Sequence, residues 1–338
     1  MDAALPGTVN LLTGDPQGMV LVFSYSDVDP GRWLLLDTAS MSLKNLAGTH
    51  PGLTLEAMRP MQALTYPAPD GFAIPAYLTL PDGAPGPHPM VVLIHGGPVA
   101  RDRWGWNLDV QLLAQAGYAV LQPQFRGSAG FGRRFEQAGY RQWGLAMQDD
   151  VTAGVKAMIA QGVADPKRIC IYGASYGGYA ALWGLEKTPE LYRCGVSLAG
   201  VTDIGERFTD WSDTNADKAG RELMRFTVGD VDTMAAQFDQ VSPEKHADRI
   251  RVPVLLGHGT DDQRVPIGHA KRMAAAIERA HGTVETHWYD DEGHGLSRIA
   301  DLVDFDAALL DFLDRAIGPA ASAASAASAA EGPPAAQP

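Results

Sequence analysis

The segment Ile169-Cys-Ile-Tyr-Gly-Ala-Ser-Tyr-Gly-Gly178 decides the fold, because an apolar, β-favouring run leads directly into a helix-forming one. Between them lies Gly173-Ala-Ser175-Tyr-Gly177, and G-x-S-x-G in this context is typical of a nucleophile elbow. Glycine is needed on both sides of the serine, since a Cβ there would clash as the backbone reverses. Ser175 is therefore the candidate nucleophile, and an ordinary strand-to-helix turn is the structural alternative.

Working outward from the elbow, short apolar runs alternate with helical segments from about residue 61 onward. This alternation predicts an α/β domain with a mostly parallel central sheet and helices on both faces. Residues 61–66 and 74–80 flank Pro69-Asp-Gly71 and are predicted to form a hairpin. The other predicted elements are strands at 90–95, 119–123, 168–172, 195–198, 254–258 and 285–289, and helices at 108–116, 151–161, 267–279 and 299–317.

The N-terminal segment has a different pattern. Short β-like runs at 19–24, 33–37 and 42–46 alternate with turns, which predicts a short antiparallel β meander. We therefore divide the chain into a meander and linker at 1–60, a catalytic domain at 61–317 and a tail at 318–338. The tail is rich in alanine, serine and proline and is predicted to be disordered.

Composition and short sequence patterns limit the partners, cellular location and cofactors that we expect for this chain. A chain of 338 residues with 46% hydrophobic residues can bury a large core, and its net charge of −13 disfavours nucleic acids and anionic membranes as partners. The N-terminus lacks a signal-peptide pattern and no run of eighteen apolar residues occurs, so a cytoplasmic location is predicted. Cys170 and Cys194 lie in apolar segments and are predicted to be buried and reduced. Because metal-ligand spacings and nucleotide-binding loops are missing, no cofactor is expected.

A serine nucleophile requires a base, and the base requires a carboxylate that orients it. His294 follows a predicted strand and lies between two glycines, and Asp261 and Asp262 follow the strand before it. The order Ser, Asp, His is the order found in the α/β-hydrolase fold. Either aspartate fits this pattern.

The reaction also requires donors for an oxyanion. The glycine loop Ile94-His-Gly-Gly-Pro98 follows another predicted strand, where bare backbone N–H groups are accessible. We predict that the N–H groups of Gly97 and Tyr176 form the oxyanion hole, with Gly96 as the alternative to Gly97. A simple turn before Pro98 is the structural alternative.

Taken together, these motifs resemble the catalytic domain of the prolyl oligopeptidase family of serine peptidases, and are most similar to its acylaminoacyl-peptidase and dipeptidyl-peptidase branch. Further matching strings are Gln124-Phe-Arg-Gly-Ser128, Trp143-Gly144 and Asp165-Pro-Lys-Arg168. The resemblance covers about residues 61–317 and implies the α/β-hydrolase fold. Its H-G-x-x-D pattern implies that Asp262 is the triad acid, and it implies that Arg264 binds a substrate backbone carbonyl. A surface ion pair is the alternative for Arg264.

The resemblance fails at the N-terminus, since members of this family carry a β-propeller and residues 1–60 are similar to only its last blade. Unpaired strand edges would then favour either a homo-oligomer or an absent propeller partner. We expect a serine peptidase acting on short or N-acylated peptides, with a rate that falls as His294 becomes protonated. The alternatives are a carboxylesterase-type hydrolase of small esters and a non-catalytic remnant or binding module.

Overall fold

The computed structural model describes residues 4–81, 86–209 and 218–318, and the predicted tail lies almost wholly outside them. The described chain forms two compact units. The first comprises residues 4–64, 77–81 and 103–120, and the second comprises residues 65–76, 86–102, 121–209 and 218–318. No helix of the described residues is long and apolar enough to cross a membrane.

The N-terminal sheet is an antiparallel meander of four strands in the order β1-β2-β3-β4. Alternate residues of β2 and β3 are buried, as expected for strands with one face on a core, and this core includes Val20, Val22 and Leu34. β1 was not predicted from the sequence, and its Leu11 and Leu12 are exposed at the sheet edge. The strands are β1 (Val9–Gly14), β2 (Met19–Tyr25), β3 (Arg32–Asp37) and β4 (Ser42–Gly48).

The central sheet has eight strands in the order β12-β11-β10-β9-β7-β8-β6-β5. β7, β9, β10, β11 and β12 pair in parallel, each with its neighbour. Their carboxyl ends therefore lie at one edge of the sheet, where α/β proteins carry their functional loops. The strands are β5 (Met61–Pro67), β6 (Ala73–Thr79), β7 (His88–Ile94), β8 (Ala119–Pro123), β9 (Ala164–Ala174), β10 (Cys194–Leu198), β11 (Val254–Gly259) and β12 (Val284–Tyr289).

Nine α-helices occur in the described part of the chain. They are α1 (Leu108–Gln115), α2 (Arg133–Gln137), α3 (Ala146–Ala160), α4 (Tyr176–Lys187), α5 (Ile204–Thr209), α6 (Lys218–Thr227), α7 (Val231–Gln240), α8 (Gly268–Arg279) and α9 (Ile299–Ile317). Every residue of α4 except Lys187 is buried, which is typical of a helix that is apolar on all sides. The α/β-hydrolase fold class and the antiparallel meander predicted from the sequence are confirmed.

The prediction of reduced cysteines was wrong: the structure has a disulfide bond between Cys170 and Cys194. Cys170 lies in β9 and Cys194 in β10, and the parallel register places them directly opposite each other. Their Cα atoms are 4.8 Å apart, within the range that a disulfide spans. The sequence predicted the burial of both residues correctly but not the register that brings the two sulfur atoms together.

Candidate active site

Ser175 lies at the junction of β9 and α4 in a strained backbone conformation, with φ of +57° and ψ of −118°. Such a conformation is rare for a residue with a side chain and occurs at functional turns. Its N–H donates to Leu198 O, at the end of β10, at 2.9 Å. A Cβ on Gly173 would collide with the backbone of Gly177, and one on Gly177 would collide with Ile94 O. The two glycines are thus required by the close approach of neighbouring backbone.

His294 bridges the serine and an aspartate. Its Nε2 lies 2.9 Å from Ser175 Oγ, and its Nδ1 lies 2.7 Å from Asp262 Oδ2. Since a carboxylate accepts, Nδ1 carries the proton and donates it to Asp262, and Nε2 is left to accept from the serine hydroxyl. The three side chains come from residues 119 and 32 positions apart in the chain. This geometry allows a proton to move from Ser175 to His294.

Asp262 has a fully buried side chain that accepts three hydrogen bonds and lies close to a fourth donor, His258. Oδ1 accepts from the N–H groups of Arg264 and Val265 at 2.8 and 2.9 Å, and Oδ2 accepts from His294 and lies 3.2 Å from His258 Nε2. Burial opposes ionisation, but the donors His258, His294 and Val265 outweigh it and hold the pKa of Asp262 well below its usual range. Asp261, the other aspartate of the sequence pattern, is exposed.

His258 is fully buried beside this carboxylate, at the end of β11. Its Nε2–H donates to Val265 O at 2.7 Å and lies 3.2 Å from Asp262 Oδ2. Nδ1 has no hydrogen-bond partner among the residues that the structure describes. His258 therefore ties the strand end to the turn that presents Asp262.

The loop that carries His294 is fixed by its neighbour Glu292. This buried carboxylate accepts from the N–H and the hydroxyl of Ser297 and from the N–H of Arg298, at 2.7 to 3.0 Å. These hydrogen bonds, that from Arg298 first, lower the pKa of Glu292 to about 2. Glu292 O also accepts from Asp261 N at 2.9 Å, so the loops of Asp262 and His294 are directly joined.

The glycine loop after β7 lies against the elbow. A Cβ on Gly96 would stand 3.4 Å from Ser175 Cβ, and Gly97 has a φ of +118°. The Gly97 N–H makes no hydrogen bond within the described chain. Tyr176 is the first residue of α4, and N–H groups of a first helical turn have no acceptor within their own helix. Both N–H groups are therefore available to a bound oxyanion.

Arg264 is the remaining residue of the predicted site. The Arg264 side chain is exposed, and among described residues its guanidinium takes part in no ion pair. Trp106, which follows the glycine loop in the sequence, packs its ring against His50 and directs its indole N–H at Met58, within the N-terminal unit. No surface ion pair of Arg264 is thus found in the described part of the chain.

A cavity of about 310 Å³ opens beside the glycine loop. Trp143 lines it and packs edge-on against the Tyr176 ring, at 4.7 Å between ring centres. Most of the lining is apolar, and among the residues that the structure describes Glu136 is the one charged group in it. The lining residues are Gly97, Pro98, Val99, Glu136, Tyr140, Trp143, Leu223, Met224, Thr227 and Val228.

Sequence reasoning missed three residues of this region. His258 is part of the H-G-x-x-D string, but the string does not indicate which atoms it contacts. Glu292 precedes the glycine-flanked histidine, and an acid at the start of such a loop is a signal that could have been used. Glu136 carries no sequence signal, because α2 and α6 come together at the cavity only in the fold.

The chain is similar to known proteins in both sequence and structure. The model of the prolyl oligopeptidase family matches residues 104–320. The chain is 33% identical to dipeptidyl aminopeptidase BIII of Pseudoxanthomonas mexicana, over 94% of the chain and 48% of that protein. It is 28% identical to the acylamino-acid-releasing enzyme of Sus scrofa, over 87% of the chain and 42% of that protein.

Among solved structures, a puromycin-hydrolysing peptidase of Mycobacterium tuberculosis superposes with a TM-score of 0.81 and 25% identity. The match covers 91% of this chain and 47% of that one. An acylaminoacyl peptidase of Pyrococcus horikoshii, at 20% identity and a TM-score of 0.79, has the same fold. The chain spans about half the length of these proteins or less.

Proposed function

The chain belongs to the prolyl oligopeptidase family, and from that membership we propose that it is a serine peptidase that cleaves short peptides or N-acylated peptides. The observation that carries the proposal is the pair of hydrogen bonds made by His294, 2.9 Å to Ser175 Oγ and 2.7 Å to Asp262 Oδ2. A serine in a strained turn, a base and an orienting carboxylate are the parts that acyl transfer requires.

In the proposed mechanism, Ser175 Oγ attacks the scissile carbonyl while His294 Nε2 takes its proton. Asp262 stabilises the imidazolium that forms, and its low pKa keeps it ionised as the pH falls. The N–H groups of Gly97 and Tyr176 donate to the oxyanion. His294 then protonates the leaving amine, and water hydrolyses the acyl-enzyme by the same route in reverse. The proposal requires no cofactor.

We assign the cavity beside Gly97 to the side chain that precedes the scissile bond. Gly97 belongs both to the proposed oxyanion hole and to the cavity lining, so a substrate carbonyl bound there would lie beside the opening, and the apolar walls favour an apolar stem. The relatives described as dipeptidyl aminopeptidase and acylamino-acid-releasing enzyme support a peptide substrate, with a free or an acylated amino end. We propose a role in binding the substrate backbone for the exposed Arg264.

We also propose domain boundaries, binding partners and a cellular location for the chain. We place the catalytic domain at 61–317 after a meander and linker at 1–60, with either a second copy or a propeller partner on the meander. Peptide substrates are the proposed ligands, and the net charge of −13 disfavours nucleic acids and anionic membranes. The proposed cytoplasmic location is weakened by the Cys170–Cys194 disulfide, because such bonds are uncommon in reducing compartments.

The test is hydrolysis of aminoacyl, dipeptidyl and N-acyl-aminoacyl anilides alongside short nitrophenyl esters, with Ser175→Ala as control. We expect the native protein to cleave anilides and the variant to be inactive on every substrate. Cleavage of esters alone would replace the peptidase proposal with an esterase. A folded protein that neither turns over these substrates nor reacts with a fluorophosphonate would be a non-catalytic domain.

A further inference from the structure

Glu136 introduces a negative charge into a mostly apolar cavity. It lies in α2, and the walls around it come from the glycine loop, from Trp143 and from α6 with the residue that follows it. The other polar side chains in the lining are those of Tyr140 and Thr227, neither of which is charged. Glu136 is half-buried, and its carboxylate can pair with a cation that enters the cavity.

Within the described chain, Glu136 receives only one such donor. Tyr140 Oη donates to Glu136 Oε1 at 3.0 Å, which fixes the orientation of the carboxylate. No ion pair and no other hydrogen bond of its side chain is found among the described residues. Arg133, one turn earlier in α2, is exposed and does not pair with it. Oε2 therefore remains available to a ligand.

We propose that Glu136 is a specificity-determining residue that selects substrates carrying an alkylammonium group. The favoured source is a lysine side chain preceding the scissile bond, and the substrate α-ammonium is the other source of the same chemistry. This inference rests on the proposed function, which places that side chain in the cavity. A lysine stem would pack against Leu223, Met224 and Val228, and its ammonium would donate to Glu136.

Trp143 in the cavity lining also favours an alkylammonium ligand. Trp143 lines the cavity and its indole attracts a cation placed over its face. Norleucine matches the aliphatic stem of lysine without the charge, so a lysine and norleucine pair isolates the contribution of the carboxylate. A hydrogen bond between two charged groups predicts a preference for lysine over norleucine of about tenfold to a hundredfold.

The kinetic experiment compares kcat/KM for N-acetyl-lysine and N-acetyl-norleucine anilides in the native protein, Glu136→Gln and Tyr140→Phe. We expect the native protein to prefer lysine by at least about tenfold, Glu136→Gln to abolish the preference by slowing lysine cleavage far more than norleucine cleavage, and Tyr140→Phe to retain most of it. Glu190→Gln, at an exposed acid outside the cavity, controls for the loss of one negative charge.

A second arm compares free and N-acetylated norleucine anilides. A preference for the free amine that Glu136→Gln removes, without any preference for lysine, would assign the carboxylate to the α-ammonium. If the native protein shows neither preference, or if Glu136→Gln slows all substrates equally, Glu136 does not select charge and the inference is overturned.

A binding experiment tests the role of Glu136 independently of the proposed peptidase activity. N-acetyl-lysine and N-acetyl-norleucine methylamides are titrated into Ser175→Ala, with and without Glu136→Gln, and followed by ligand-detected NMR. Tighter binding of the lysine compound that depends on Glu136 would support the inference even if no anilide were cleaved. Serine-dependent cleavage with equal binding of the two compounds would keep the peptidase and overturn the role of Glu136.

Discussion

His258 Nε2 lies 3.2 Å from Asp262 Oδ2, the same carboxylate oxygen that receives the Nδ1–H of His294. Two imidazoles therefore share one acceptor, and only one of them reaches the serine. Because His258 is fully buried and also donates to Val265 O, it acts on the site by positioning Asp262. Its effect is testable apart from that of the triad.

Replacing His258 with phenylalanine should keep the ring volume but remove the donor. We expect kcat to fall about tenfold, the scale of one hydrogen bond to a charged group. With one donor fewer, Asp262 would interact more strongly with protonated His294, so the acid limb of the pH profile should move to higher pH. The measurement is kcat/KM against pH.

His258→Gln is the matched control for that experiment, because its amide N–H can donate toward Val265 O. Partial rescue of the rate and of the acid limb is expected. If His258→Phe and His258→Gln lose the same activity and neither changes the pH profile, the His258 side chain contributes only to packing.

Gly97→Ala should damage the oxyanion hole. The new Cβ would lie 2.8 Å from Val99 N at a φ of +118°, so the loop must move and its N–H must turn away. Loss of one oxyanion donor predicts a fall in kcat of about 10²- to 10³-fold with little change in KM. Steady-state kinetics of Gly97→Ala and of Gly52→Ala, where a Cβ meets open space, provide the comparison. An unchanged kcat would leave Gly96 as the donor.

Removing the Cys170–Cys194 disulfide should lower stability. The bond closes a loop with a sequence separation of 24, for which chain entropy predicts a contribution of about 3 kcal/mol. Thermal unfolding of the native protein with and without reductant should therefore differ, and the Cys170→Ala/Cys194→Ala protein should match the reduced one. A double variant as stable as the oxidised protein would contradict this account.

Glu186 should make stability depend on pH. Burial raises its pKa well above the usual value, Arg249 opposes the shift and Asp248 adds to it. Neither carboxylate oxygen has a hydrogen-bond partner among the described residues. A raised acid pKa means that the folded state holds the proton more tightly, so stability is lost as pH rises above the unfolded-state value near 4.5.

Glu186→Gln removes that titration. We expect the variant to gain stability relative to the native protein as the pH is raised from 4 to 8, measured by urea unfolding at each pH. A difference in unfolding free energy that stays constant over this range would show that Glu186 does not titrate on folding.

Most of the sheet could be predicted from the sequence because its strands are short, apolar and bounded by turns. The predicted strand 119–123 coincides with β8, and 254–258 falls short of β11 by one residue. Helix 299–317 coincides with α9, where an apolar stripe marks the buried face. The start of α3 lies five residues before the prediction, since polar Gln148 and Asp150 are buried there.

What could not be predicted depends on contacts between distant segments. β1 has no alternation of polar and apolar residues and pairs only because β2 lies beside it. The disulfide depends on the β9–β10 register, and the preference for Asp262 over Asp261 rested on resemblance. The glycine pattern, by contrast, marks the strand-to-helix turn at Ser175, because a Cβ on Gly173 or Gly177 would collide with neighbouring backbone.

The burial of every residue of α4 except Lys187 limits how this protein can change its substrates over evolution. The helix begins at the residue after Ser175, and a substitution along it disturbs the packing that holds the serine. Substrate range is more freely altered on α2 and α6, which contribute cavity residues and also have exposed positions such as Arg134 and Leu223. We therefore expect sequence divergence among functional variants to concentrate in these two helices while α4 stays nearly unchanged.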